Sequence, residues 1–213
     1  MESLNPAIET YAQHLSSPEP EVLQELSRET QEKVEKPQML SGHLQGRILS
    51  MLSHMIRPRQ VLDIGTYTGY SAICLAEGLQ VNGIVRTVDK NEELREMAER
   101  YFQRSGLSSH ITYHSGNALE LIDEWEAPFD LVFIDADKEN YHRYYDQVFE
   151  RVPSGGYIIA DNVLWKRKVL ESEQEKDAIT QSLQAYNEKV RNDDRVENLI
   201  LPVRDGLSIA RKL

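Results

Sequence analysis

Two very apolar runs end in carboxylates: FIDADK at 133–138 and IIADN at 158–162. Asp135, Asp161 and Asn162 supply three oxygen donors with no sulfur or imidazole beside them. That set suits a hard cation such as Mg2+, which prefers octahedral oxygen ligands and keeps positions for water or substrate. The six histidines form no H-E-x-x-H or other zinc spacing, so zinc is not expected. Lys138 stands three residues after Asp135. A lysine held near a dication is favoured in its neutral, proton-accepting form, which suits a general base. Plainer readings exist for each feature. A lone aspartate after a strand commonly caps the next helix, and Lys138 opens a charged run, KENYHRYYDQ, of the kind that faces solvent.

A second chemical signal is VLDIGTYTGYS at 61–71, a short apolar run that ends in two glycines four apart. Gly65 and Gly69 let the backbone turn tightly and approach a ligand, and the helix expected to begin near Tyr70–Ser71 offers free N–H groups. Asp89 closes IVRTVD, 24 residues after Gly65. A carboxylate there accepts hydrogen bonds from both hydroxyls of a ribose. A dinucleotide fingerprint would read G-x-G-x-x-G, whereas Tyr67 occupies the place of the middle glycine and would crowd a pyrophosphate. S-adenosylmethionine carries an adenosine and a carboxylate but no pyrophosphate, so it fits this turn better. The bland alternative is that the glycines shape a turn and Asp89 merely ends a strand.

These residues require a scaffold that brings strand ends together. From Val61 onward, short apolar runs (VLDIG, IVRTVD, ITYHSG, FDLVFIDA, GYIIADN) alternate with helical patterns, the signature of strand-helix-strand units and a mostly parallel, doubly wound α/β sheet. VENLILPVRDGLSIARKL adds two apolar runs around Asp205–Gly206, a dipeptide favoured in tight hairpins, so the chain is expected to end in an antiparallel hairpin at one sheet edge, for seven strands in all. Residues 1–58 read as polar helices punctuated by Pro18, Pro20, Pro37 and Pro58. They are expected to form a helical extension covering the active site of an S-adenosylmethionine-binding domain at 59–213, one structural domain overall.

Composition narrows the partners. With 24 Lys and Arg against 35 Asp and Glu, the net charge of −11 disfavours nucleic acid and anionic lipid. No window approaches the ~18 uninterrupted apolar residues of a membrane span, and the N-terminal MESLNPAIET lacks the basic and apolar regions of a secretory signal. Cys74 is the only cysteine, so no intramolecular disulfide forms, and a cytoplasmic setting is expected. Within SAICLAEGL it reads as a small core side chain.

Taken together, QML and QGRIL within 38–49, VLDIGTYTGYS, TVDK at 87–90, FIDADKENY at 133–141, DNVLW at 161–165 and LPVRDGLSIARK at 201–212 resemble the cation-dependent O-methyltransferases. That family contains catechol O-methyltransferase and the caffeoyl-CoA O-methyltransferases, and the resemblance covers about residues 35–213. It implies a Rossmann-like methyltransferase fold with N-terminal helices. It implies that Gly65, Tyr67, Tyr70 and Ser71 line the methionine end of S-adenosylmethionine, that Asp89 binds the ribose and that Asn117 and Ala118 lie near the adenine. Met39 matches a residue near cofactor and substrate. Asp135 matches a residue serving both cofactor and metal, with Asp161 and Asn162 completing the ion site. Lys138 matches the base and Trp165 an aromatic beside the acceptor. A homodimer is likewise implied. One departure is Arg167, flanked by Lys166 and Lys168, where relatives commonly have glycine two residues after the tryptophan; these basic residues either attract an anionic acceptor or form a solvated loop.

The expected reaction is methyl transfer from S-adenosylmethionine to one hydroxyl of a vicinal aromatic diol, both oxygens chelating a divalent cation while Lys138 removes the proton. His43, Tyr11 and His14 lie on the helices expected over the pocket, but read more simply as surface residues. Competing readings are a methyltransferase with another acceptor, a nicotinamide oxidoreductase weakened by the absent glycine, and a noncatalytic S-adenosylmethionine-binding protein.

Overall fold

The computed structural model describes residues 6–125, 128–172 and 174–213. The chain divides into two compact units, one ending at Asn117 and the other spanning Ala118–Leu213. Among the described residues, seven strands form a mixed, doubly wound sheet in the order β3 (Ile111–Ser115), β2 (Ile84–Asp89), β1 (Gln60–Ile64), β4 (Leu131–Ile134), β5 (Tyr157–Ala160), β7 (Leu207–Lys212), β6 (Val196–Leu201).

The first unit opens with α1 (Pro6–Leu15), α2 (Glu21–Lys33) and α3 (Gly42–Ile56), then alternates β1 (Gln60–Ile64), α4 (Tyr70–Ala76), β2 (Ile84–Asp89), α5 (Arg95–Arg104) and β3 (Ile111–Ser115). β1 pairs with β2, and β2 with β3, in parallel. Parallel strands carry no hydrophobic-polar alternation because helices cover their faces, and β1 is accordingly buried from Val61 to Ile64. All seven residues of α4 are buried, as expected of a helix that is apolar on every side. α2 is amphipathic instead: Leu23, Leu26 and Thr30 form its buried stripe at helical spacing. Ile8, Tyr11 and Leu15 of α1 are exposed, which agrees with Tyr11 as a surface residue. His43 Nε2 lies 2.8 Å from the Ser17 carbonyl.

The second unit contains α6 (Ala118–Leu121), β4 (Leu131–Ile134), α7 (Tyr141–Phe149), β5 (Tyr157–Ala160), α8 (Ala178–Arg191), β6 (Val196–Leu201) and β7 (Leu207–Lys212). β4 and β5 are parallel; β7 runs antiparallel to both β5 and β6. Every residue of β4 is buried. Tyr186 of α8 meets Tyr141 and Tyr145 of α7 edge to face, at centroid distances of 5.5 and 6.1 Å, a favourable aromatic geometry. The C-terminal hairpin forms as expected, but Asp205–Gly206 is not a two-residue turn. Five residues connect β6 to β7, with Arg204 and Gly206 at positive φ. Among the described residues no helix is long and apolar enough to cross a membrane.

Candidate active site

In the first unit, β1 delivers the chain into the glycine turn. Gly65 and Thr66 donate their N–H groups to the Val88 carbonyl at 2.9 and 3.1 Å, which keeps the turn on β2, and Gly69 N–H closes onto Thr66 at 2.8 Å. Gly69 has φ +94°, and a Cβ there would lie 2.6 Å from a ring carbon of Phe102. Backbone conformation and close approach both require glycine at that position.

The turn orients its acidic partner directly. Asp89 Oδ2 accepts the Tyr67 N–H at 2.7 Å and Oδ1 accepts the Asn91 N–H at 2.9 Å. A carboxylate offers about four acceptor positions, so two remain for a pair of ribose hydroxyls. Asp89 is the register partner of Ser115, and Gly116 N–H donates to the Asp89 carbonyl at 2.9 Å. The chain therefore reaches Asn117 from the strand end next to Asp89, and Ala118, nearly buried, follows as the first residue of α6.

Not every residue proposed for the methionine end offers a free hydroxyl. Ser71 donates to Asp63 at 3.2–3.3 Å, and Tyr70, 2% exposed, donates its phenol to Glu19. Burial is the main reason that the Tyr70 phenol is pushed up, so it stays protonated. Tyr67 is half-buried, with its hydroxyl on the Lys36 carbonyl at 3.0 Å. Met39, in a 3-10 turn, is exposed.

Asp63 is a residue that the motif reading passed over. Its carboxylate is wholly buried and accepts from Thr87 Oγ1 at 2.7 Å and from Ser71, while Thr87 meets Thr66 at 2.6 Å. A carboxylate inside an otherwise apolar strand was the available signal, because such a group needs hydrogen-bond partners.

In the second unit, Ile134 and Ala160 are register partners, and Asp161 N–H donates to the Ile134 carbonyl at 3.0 Å. Asp135 and Asp161 therefore leave neighbouring strand ends at the same level, a strand spacing of about 4.8 Å apart along the sheet. Asn162 follows with φ +61° and donates its N–H to Asp161 Oδ1 at 2.7 Å. Lys138 Nζ donates to Asp135 Oδ1 at 2.7 Å and to the Tyr141 hydroxyl at 2.8 Å. Tyr141 is wholly buried, and its O–H lies 3.0 Å from the Asp161 carbonyl. Burial, then the negative charges of Asp135 and Asp161, push this phenol well above its ordinary value, so it serves as a neutral hydrogen-bonding post. The other aspartate of DADK has different work: Asp137 accepts from the Tyr144 hydroxyl at 2.6 Å and from Asn140.

Two carboxylates and a carboxamide fit a hard divalent cation that completes its coordination with water or substrate oxygens. They do not amount to a set of three His, Cys, Asp or Glu ligands, and among the described residues no such set occurs.

The loop after Asn162 is tied to the hairpin connection. Val163 N–H donates to the Gly206 carbonyl, Leu164 N–H to the Asp205 carbonyl at 2.8 Å, and Lys166 N–H to the Asp205 carboxylate. A Cβ at Gly206 would lie 2.5 Å from Leu164. Trp165, Lys166 and Arg167 take φ values of +44°, +52° and +67° in succession. The left-handed backbone at Arg167 is one that glycine adopts without strain. Of the basic run, Lys166 and Arg167 are exposed, while Lys168 pairs with Asp177 at 2.6 Å.

A family profile described as O-methyltransferase matches residues 13–213. Caffeoyl-CoA O-methyltransferase of Petroselinum crispum is 32% identical over 209 residues, covering 92% of this chain and 85% of that protein. Caffeoyl-CoA O-methyltransferase 1 of Zea mays is 34% identical over 209 residues, covering 92% and 80%. Among solved structures, the O-methyltransferase TomG of Streptomyces achromogenes, in complex with S-adenosylmethionine, superposes with a TM-score of 0.89 at 26% identity, covering 100% of this chain and 99% of that one. An O-methyltransferase from Bacillus cereus, in complex with S-adenosylhomocysteine, gives 0.89 at 28% identity, covering 97% of each.

Proposed function

Because this chain belongs to the O-methyltransferase family, we propose that it transfers the methyl group of S-adenosylmethionine to one hydroxyl of a catechol-like small molecule, of the caffeoyl-CoA kind, with a divalent cation. The observation that carries the acceptor chemistry is the pairing of Lys138 with Asp135 beside Asp161, a candidate base held against an oxygen-donor set.

In this reading Asp89 accepts the ribose hydroxyls, with Gly65, Tyr67, Tyr70 and Ser71 forming the wall for the methionine end and Asn117 and Ala118 the adenine side. Met39 lies near the donor and the acceptor. Asp135, Asp161 and Asn162 would hold a divalent ion, Mg2+ by donor chemistry. Such an ion, when bound, lowers the pKa of a coordinated hydroxyl and restricts its orientation. Trp165 flanks the acceptor ring. Lys138 takes the hydroxyl proton; the oxygen forms a bond to the methyl carbon as the carbon–sulfur bond breaks, and S-adenosylhomocysteine leaves. The protonated lysine returns its proton to solvent. Tyr141 holds the Lys138 side chain through its hydroxyl.

The N-terminal helices as a cover for the pocket, a cytoplasmic setting and a homodimer belong to the same proposal. Size-exclusion chromatography with light scattering tests the last of these.

The direct test is methyl transfer to catechols, caffeoyl-CoA and catechol flavonoids, each with Mg2+ and with excess EDTA. Turnover that EDTA abolishes is the expected result. Turnover indifferent to EDTA sinks the chelation step and keeps the donor; donor binding without turnover across the panel favours the noncatalytic alternative.

A further inference from the structure

Three hydrogen bonds join one N-terminal segment to three residues of the glycine turn, Tyr67, Thr68 and Tyr70. Tyr67 donates its phenol to the Lys36 carbonyl at 3.0 Å, Thr30 Oγ1 donates to Thr68 Oγ1 at 3.2 Å, and Tyr70 donates its phenol to Glu19. The central bond is sealed from water, since Thr30 and Thr68 are both wholly buried. A buried hydroxyl that loses its partner retains the full cost of desolvation, so this pair discriminates strongly between a docked and a displaced segment.

The same segment is anchored on its other side. Glu29 accepts from the Tyr101 hydroxyl at 2.6 Å and from Arg100 at 2.8 Å, and Glu25 pairs with Arg104. All three partners lie on α5, whose Phe102 and Ala98 back Gly69 of the turn. Leu23 and Leu26, wholly buried, complete the docking face of α2. The helix is thus fixed to α5 by its acids and to the turn by its threonine.

Tyr67 is the residue that most needs such support. It adopts φ +49°, a left-handed conformation uncommon for a bulky side chain, and such conformations persist only where their surroundings hold them. Its N–H is also the donor that orients Asp89, at 2.7 Å. Fixing the ring at Lys36 and the next residue at Thr30 therefore fixes the amide that aims the ribose-binding carboxylate.

We propose that Glu19, Thr30 and the Lys36 carbonyl form a positioning clamp for the methyl donor, acting through Tyr67, Thr68 and Tyr70, so that the segment 19–36 sets donor affinity. The clamp rests on the donor reading given above.

The test uses the full chain, with S-adenosylhomocysteine as the calorimetric probe. Thr30→Val with Glu19→Ala removes two of the three bonds; Thr30→Ser with Glu19→Gln keeps a hydroxyl and an acceptor at both places. Losing the two bonds is expected to raise the Kd for S-adenosylhomocysteine about five- to thirtyfold, with a parallel rise in KM for S-adenosylmethionine. At saturating donor, kcat is expected to stay within about twofold, and the conservative pair to bind within about twofold of the wild type. In the ligand-free chain, amide exchange at 66–71 should quicken in the loss pair alone; a general loss of stability would not confine itself to those amides. Equal affinity in the wild type and the folded loss pair overturns the clamp and leaves the donor reading standing. A wild-type chain that binds no S-adenosylhomocysteine overturns the donor reading and the clamp's role with it. Should the double variant fail to fold, the single substitutions carry the same comparison.

Discussion

Lys138 Nζ stands between Asp135 Oδ1, at 2.7 Å, and the Tyr141 hydroxyl, at 2.8 Å, three residues away in either direction along the chain. The spacing places all three at the end of β4 and the start of α7, so a single strand-to-helix connection supplies the proposed oxygen ligand, the proposed base and the phenol that holds its side chain. The carboxylate that accepts from Lys138 is also the one proposed to receive a cation.

We predict that Lys138→Met lowers kcat by about two to four orders of magnitude, the usual contribution of a positioned base. Affinity for S-adenosylhomocysteine is expected to change little, because the donor contacts proposed lie on other residues. Calorimetric titration and steady-state kinetics on the same preparation separate the two. Full turnover in Lys138→Met would remove this residue from the mechanism.

Asp89→Asn is predicted to raise KM for S-adenosylmethionine about ten- to hundredfold, the range for losing charge-assisted hydrogen bonds. Tyr67 N–H still has a carbonyl oxygen within reach in the variant, so the turn survives and the effect falls mainly on the donor. A KM that does not move would show that the carboxylate only braces the turn.

How far the sequence could be read depended on whether the partners of a residue are local. β1, its glycine turn and Asp89 were legible because strand, turn and acid follow one another within 30 residues and because φ +94° at Gly69 leaves few residue types possible. Asp135 and Asp161 were legible as a pair because parallel strands end in register. The packing of the N-terminal helices was not: Thr30–Thr68 and Glu19–Tyr70 join residues 38 and 51 apart, and no periodicity encodes such pairings. Asp205–Gly206 was read as a short turn because that dipeptide is a strong hairpin signal, yet the Asp205 carboxylate is engaged with Lys166 N–H, a tertiary contact that overrides the local preference.

Two glycines isolate the role of packing in the glycine turn. Gly69 and Gly106 both have positive φ, +94° and +75°, but a Cβ at Gly106 meets nothing within 4 Å whereas one at Gly69 overlaps Phe102. Gly106→Ala is expected to cost about 1–2 kcal/mol of stability from backbone strain alone. Gly69→Ala is expected to cost about 1–3 kcal/mol more, because Phe102 is buried and cannot yield freely. Urea unfolding of the two variants checks the ordering, and equal losses would mean that the Phe102 contact relaxes at no cost.

Acid stability follows from Glu29. The Tyr101 hydroxyl, followed by the Arg100 guanidinium, holds its carboxyl down at about 2, below the ordinary value of 4.5. A carboxylate lowered on folding contributes stability that is fully present above its unfolded value and is lost as pH falls through the folded one. The relevant window therefore runs from about pH 5 down to about pH 2, and near pH 7 the contribution is complete. Glu29→Gln removes the titration while keeping an acceptor for Tyr101. The variant is expected to be less stable than the wild type at pH 7 and to close part of that gap by pH 3, measured as the difference in urea midpoint at each pH. Since Glu29 ties α2 to α5, amide exchange along 21–33 should report the same window, and a gap that stays constant from pH 7 to pH 3 would sever the carboxylate's charge from the docking of this helix.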